Sequence, residues 1–260
     1  MLNYITNKIK NYFKYLFLPK NYFSSMANQY FQFKQFTVWH DKCAMKVGTD
    51  GVLLGAWANT SNVNSVLDIG TGTGLVALMI AQRCTADIVA IEIDKSAVSQ
   101  AIENMERSPW KDKISVQYTD FKTYDCDKKF DLIVSNPPYF SNSLLSPDTK
   151  RSIARHTNEL SYHELIRGAS KLLSIEGEFS MIIPSDNLDG IKEIASEFNL
   201  HLIRQTNILP KPDSAPKRVL ISLSFNKVAS TEISELVIEL SRHQYSKEYT
   251  SLTKEYYLNM

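Results

Sequence analysis

Net charge is nearly absent from this chain: 29 lysines and arginines stand against 28 aspartates and glutamates, leaving +1. That removes a global basic field as the means of holding nucleic acid. No apolar run approaches the roughly 20 residues that span a bilayer, so no stable membrane association is expected. Cysteine is scarce. Cys43, Cys84 and Cys126 are far apart, odd in number and without metal-ligand spacing. Reduced thiols in a cytosol, with no bound metal, are the simplest reading. There is no internal repeat and no low-complexity tract, so repeat and disordered classes drop out. What remains is an ordinary globular chain of 260 residues, 43% hydrophobic, long enough for one large domain with trimmings.

Acidic residues are missing altogether from residues 1–25, where Lys8, Lys10, Lys14 and Lys20 lie among Tyr12, Phe13, Tyr15, Phe17, Tyr22 and Phe23. Lys14 interrupts the apolar run and no clear small-residue cleavage site follows, which argues against a signal peptide. A membrane-surface helix stays open; a translated leader ahead of a start at Met26 is the plainer expectation. The remaining chain carries 25 basic and 28 acidic groups. Residues 26–260 read as a single domain, with an N-terminal segment at 30–60 and a helical tail at 231–260.

Phe31 to Val38 alternates enough for a strand or hairpin. Asp50 is placed to cap a short helix beginning near Gly51. From Val63 strands and helices alternate. Val66–Ile69, Ile88–Ile91, Ile114–Tyr118, Phe130–Val134 and Phe179–Ile183 read as short apolar strands. Ser161 and Glu164 have capping-box spacing ahead of a helix. Leu200–Leu209 and Val219–Phe225 are joined by a proline-rich turn with no room for a helix, so that pair reads as antiparallel. Ile233, Leu236, Val237 and Leu240 suggest a last amphipathic helix. The fold class is α/β: a Rossmann-like, mostly parallel sheet of seven strands with an antiparallel last strand and helices on both faces.

The fourth strand ends in Asn136-Pro137-Pro138-Tyr139. Two prolines remove two backbone donors and fix φ, so the strand cannot continue. The outcome is a stiff corner at a carboxyl strand end, where ligands bind in open α/β sheets. The Asn136 side-chain oxygen and the Pro137 carbonyl can both accept from one NH2 group. Tyr139 can lie flat on a planar substrate. Upstream, Asp68-x-Gly70-x-Gly72-x-Gly74 joins the first strand to a helix. Its spacing is not the dinucleotide fingerprint, which disfavours a dehydrogenase. Glu92 closes the second strand, where a carboxylate can accept from both ribose hydroxyls. Asp120 follows the third, placed to receive an adenine amino group. Each acid alone is also what an ordinary surface strand end carries; the set describes a nucleoside site. Lys150, Arg151, Arg155 and His156 follow the corner and are candidate phosphate contacts.

Together Asp68–Gly74, Glu92, Asp120 and Asn136–Tyr139 resemble the four motifs of class I S-adenosyl-L-methionine-dependent methyltransferases. The Asn-Pro-Pro-Tyr form is shared by enzymes acting on adenine N6, guanine N2 and the glutamine amide of release factors. Phe33-Lys34-Gln35-Phe36, His40-Asp41, Met45–Trp57 and Tyr256-Tyr257-Leu258 resemble the bacterial tRNA1(Val) adenine-N6 methyltransferases. That likeness covers Phe31 to Leu258 and leaves residues 1–25 outside. It implies S-adenosyl-L-methionine as cofactor, with Lys46 and Asp50 joining its site, and tRNA as partner. An adenine of the anticodon loop would be splayed out to meet Asn136. A glutamine methylase, a guanine-N2 methylase and a non-catalytic RNA-binding module stay open at this point.

Overall fold

The computed structural model of the chain describes residues 28–43, 45–138 and 160–260. The proposed leader, Tyr139 and the basic cluster from Lys150 to His156 lie outside them.

A hairpin of β1 (Tyr30–Gln32) and β2 (Thr37–Trp39) leads to helix α1 (Thr49–Trp57). The alternating units follow: β3 (Ser65–Ile69), α2 (Leu75–Ala81), β4 (Asp87–Glu92), α3 (Lys95–Glu106), β5 (Ile114–Tyr118) and β6 (Phe130–Ser135). Then come α4 (Tyr162–Leu172), β7 (Leu173–Pro184), α5 (Leu188–Glu197), β8 (His201–Leu209) and β9 (Arg218–Ser224). The chain closes with β10 (Glu232–Val237), a small hairpin of β11 (Glu239–Ser241) and β12 (Gln244–Tyr245), and α6 (Lys247–Thr253).

Among the described residues the main sheet has eight strands, in the order β10-β8-β9-β7-β6-β3-β4-β5. Only β9 runs against its neighbours, antiparallel to both β7 and β8. Its inner strands β3, β6 and β9 are largely apolar runs because both their faces are covered. On β6, Leu132 and Val134 enter the core under α1 and α2, while Ile133 enters the core under α4 and α5. The capping box of α4 forms as its sequence predicts: the Ser161 hydroxyl accepts from the Glu164 amide at 3.2 Å, and Glu164 accepts from the Ser161 amide at 2.9 Å.

Two expectations are corrected. Residues 232–237 form a strand, not a helix, and so the sheet gains an eighth member beyond the seven expected. Without it β8 would be an open edge of unpaired backbone groups. β10 pairs with it in parallel from Glu232↔Arg204 to Val237↔Leu209. On this edge strand Ile233 is 63% exposed and Leu236 is turned into the core, while Leu240, the last of the expected helical stripe, lies on β11. The only helix of the tail is α6. Asp50 does not cap α1: the N-cap is Gly48, without a side-chain bond, and Asp50 lies inside the first turn. Its carboxylate instead accepts from Arg218 Nε at 2.9 Å.

The C-terminal tail returns to the N-terminal hairpin. Tyr256 accepts at its carbonyl from the Lys34 amide, and Tyr257 stacks on Phe33 with ring centroids 5.9 Å apart. Among the described residues no helix is long and apolar enough to cross a membrane.

Candidate active site

The carboxyl ends of β3, β4 and β6 meet beside the start of α1, and two adjoining cavities open there. The first, about 430 Å³, is lined by Lys46, Asp50, Asp68, the glycine loop and Asn136. The second, about 380 Å³, is lined by Glu92, Asp120, Asn136, Pro137 and the apolar side chains Ile69, Ile91, Ile93 and Phe121. Met45, Gly70, Gly72 and Asn136 border both. The described candidates Lys46, Asp50, Asp68, Gly70, Gly72, Glu92, Asp120, Asn136 and Pro137 thus line these cavities; Gly74 lines neither.

The glycine loop is held from below and from across. Asp68, 1% exposed, accepts from the Thr71 hydroxyl at 2.6 Å. Burial pushes its carboxyl up to about 7; bonds from Thr71 and the Ala77 amide pull the other way, and the charge of Glu92 adds to the rise. Gly74 is the N-cap of α2 at φ +84°, and a Cβ there would sit 2.3 Å from Met105 Cε. The left-handed backbone favours glycine there, and any added Cβ would also displace the end of the Met105 side chain. Gly72 is different. Its φ is +58°, yet an added Cβ would meet nothing within 4 Å. The space above Gly72 is open on the cavity side, as a loop that receives a ligand against its backbone needs to be.

Glu92 locks loop to strand end. One oxygen accepts from the Gly72 amide at 2.9 Å; the other accepts from the Ile93 and Asp94 amides at 2.8 and 2.9 Å. Asp120 accepts from the Lys122 amide at 2.9 Å, capping a single 3-10 turn at Phe121–Thr123. Both carboxylates are therefore aimed by backbone donors, and a carboxylate has lone pairs for further ones. Asn136 follows Ser135, whose hydroxyl donates to the Ile69 carbonyl at 2.9 Å and ties β6 to β3. Pro137 is buried, Pro138 exposed.

Sequence reasoning missed how the wall opposite the loop is fastened. Asn104 on α3, 1% exposed, accepts from the Trp39 amide and donates to the Trp39 and Thr73 carbonyls, each at 2.9 Å. One turn earlier Gln100 accepts from the Lys42 amide at 2.9 Å. These two amides pin the segment that leads to Cys43 and Met45 on the cavity wall. Their i, i+4 spacing among the apolar residues of α3 was the available signal.

Comparison with known proteins gives the same direction throughout. A family model described as "Methyltransferase small domain" matches residues 45–205. A tRNA1(Val) (adenine(37)-N6)-methyltransferase of Bacteroides thetaiotaomicron is 57% identical over 237 residues, 90% of this chain and 100% of that one. A protein of the same name from Christiangramia forsetii is 44% identical over 241 residues, with the same coverage. Among solved structures, a predicted O-methyltransferase from Agrobacterium tumefaciens superposes with a TM-score of 0.62 at 19% identity, covering 80% of this chain and 96% of that one. The glycopeptide N-methyltransferase MtfA in complex with S-adenosyl-L-methionine superposes at 0.52 with 13% identity, over 70% of this chain and all of that one. At such identities the structures speak for the fold alone.

Proposed function

The chain belongs to the bacterial tRNA1(Val) (adenine(37)-N6)-methyltransferases, and from that premise we propose how its two cavities serve methyl transfer from S-adenosyl-L-methionine to N6 of a tRNA adenine. The proposed target is adenine 37 of tRNA1(Val), the nucleotide named in its relatives. The observation that carries the reading is the position of Asn136, which borders both cavities.

The donor set suits the cofactor. Glu92 and Asp120 offer carboxylate acceptors for ribose hydroxyls and an adenine amine, between the apolar walls of Ile91 and Phe121. Lys46 offers a cation to a carboxylate, and Gly70 and Gly72 give an approach that no side chain blocks. When bound, S-adenosyl-L-methionine supplies a methyl group already activated by its sulfonium. The protein's own work is placement and exclusion of water. The Asn136 side-chain oxygen and the Pro137 carbonyl would accept from the two N6 hydrogens and hold the amine lone pair toward the donor. Tyr139 would stack on the base. Lys150, Arg151, Arg155 and His156 would hold phosphates beyond it, and the three free thiols suit a cytosolic workplace.

Incubating the protein with labelled cofactor and total tRNA, then digesting to nucleosides, tests the whole reading. N6-methyladenosine is the expected product. A methylated guanine in place of N6-methyladenosine, or tRNA left without label, would overturn it.

Two smaller predictions arise here. Glu92→Ala should weaken cofactor binding by about 1–3 kcal/mol, the cost of leaving buried hydroxyls and the Gly72 amide without an acceptor. Calorimetry reads this directly, and unchanged affinity would take Glu92 out of the site. Deleting residues 1–25 should leave solubility and turnover as they were. An insoluble or inactive truncation would make those residues part of the working protein.

A further inference from the structure

We infer that the β8–β9 connection and the β11–β12 hairpin form a second phosphate-binding surface for tRNA, on the side of Asn136 opposite Glu92 and Asp120. This rests on the tRNA reading above and adds to it a surface outside the 45–205 region matched by the family model.

Strand register sets the position. Ser135 pairs with Met181 on β7, which pairs with Ile221 on β9; Pro184 at the end of β7 pairs with Arg218. The loop from Pro210 to Lys217 therefore rises from the same sheet edge as Asn136, two to three strands away. At strand spacing that is roughly 10–15 Å, the span of a few nucleotides. Arg218 ties this loop to the first cavity through its bond to Asp50.

The loop is built to hold its shape. Pro210, Pro212 and Pro216 restrict it. The Ser214 hydroxyl accepts from the Lys211 amide at 3.3 Å and donates to the Lys211 carbonyl at 2.6 Å. The Ser185 hydroxyl holds the Pro216 carbonyl at 2.8 Å. Beside it the Ile238 and Glu239 amides donate to the Leu209 and Pro210 carbonyls, which fastens the hairpin against the loop. Lys211, Lys217 and Arg242 are exposed, and among the described residues none of them forms an ion pair. Asp213 at the loop tip and Glu239 at the start of the hairpin are opposing charges, so the surface acts through placed cations, not through a broad field. In a chain of net charge +1 a polyanion must be held in this local way.

The test compares two double variants with equal loss of charge. Lys211→Ala/Lys217→Ala strips the proposed surface. Lys111→Ala/Lys227→Ala strips the opposite sheet edge, just before β5 and just after β9. The first should bind tRNA about tenfold more weakly and flatten the slope of log K against log salt by about 1.5, as expected for two phosphate contacts. Its defect should fall on KM for tRNA, with cofactor affinity by calorimetry equal to wild type. The second should bind tRNA as wild type does. Normal binding by the first, or equal losses in both, would overturn the surface while wild-type turnover on tRNA upheld the function. Wild-type protein that methylates no tRNA would overturn both.

Discussion

Asn136→Ala is expected to slow single-turnover methylation of tRNA by roughly 100- to 1,000-fold, about 3–4 kcal/mol, the usual effect of removing one positioned polar group from a reacting centre. The exocyclic amine of adenine is a poor nucleophile because its lone pair is shared with the ring. An acceptor on its N–H opposes that sharing. As nitrogen takes the methyl group it becomes more positive, its N–H bonds become better donors, and the bond to Asn136 strengthens. The interaction is thus worth more in the transition state than in the bound substrate, so its loss belongs in the chemical step. Affinity for tRNA should stay within about threefold, because most of it comes from phosphate contacts. Asn136→Asp retains an acceptor and should recover part of the rate. Quenched-flow measurements at saturating tRNA and cofactor separate these outcomes, and full turnover by Asn136→Ala would remove it from catalysis.

Legibility from sequence followed the range of the interactions. The strand ends at Ile69, Glu92 and Ser135 could be read because each is set locally, by glycine, by a carboxylate or by proline directly after an apolar run. The capping box of α4 could be read for the same reason. β10 could not. Whether residues 232–237 become helix or strand depends on the unpaired edge of β8, which is 28 residues earlier at Arg204↔Glu232. A stretch carrying both a helical spacing and β-branched residues is decided by that partner. The early start of β7 at Leu173, six residues before Phe179, has a similar origin. β7 pairs with β6 through a register shift between Phe130 and Leu132, and the chain from Leu173 onward is drawn into the ladder.

The site was legible as a set of residue types but not as a set of bonds. Glu92 was readable as a strand-end carboxylate; that it clasps the Gly72 amide depends on the loop curling back over β4. Asp50 was readable as an acid near a helix start, yet its partner Arg218 is 168 residues away in sequence. The anchoring of the cavity wall by Gln100 and Asn104 was hidden because a polar residue inside an amphipathic helix has many ordinary explanations.

The buried carboxyl of Asp68 should make the protein lose stability as pH rises. Unfolded, this group titrates near its ordinary value of 3.8; folded, burial lifts it to about 7. Between those values the folded chain binds a proton that the unfolded chain has released, so the unfolding free energy falls as pH rises from about 4 to about 7 and then levels off. A rise of that size is worth on the order of a few kcal/mol, a noticeable share of the stability of a domain of ordinary marginal stability. The fold tolerates this because Asp68 supports the loop from beneath, with Thr71 and the Ala77 amide donating to it. Other groups titrate over the same range, so the decisive quantity is the difference between wild type and Asp68→Asn. Urea unfolding of both proteins from pH 5 to pH 8 should show a wild-type decline that is absent or much reduced in the variant. Parallel pH profiles would mean that Asp68 is ionised in the folded protein throughout, with its charge met by the loop's own donors.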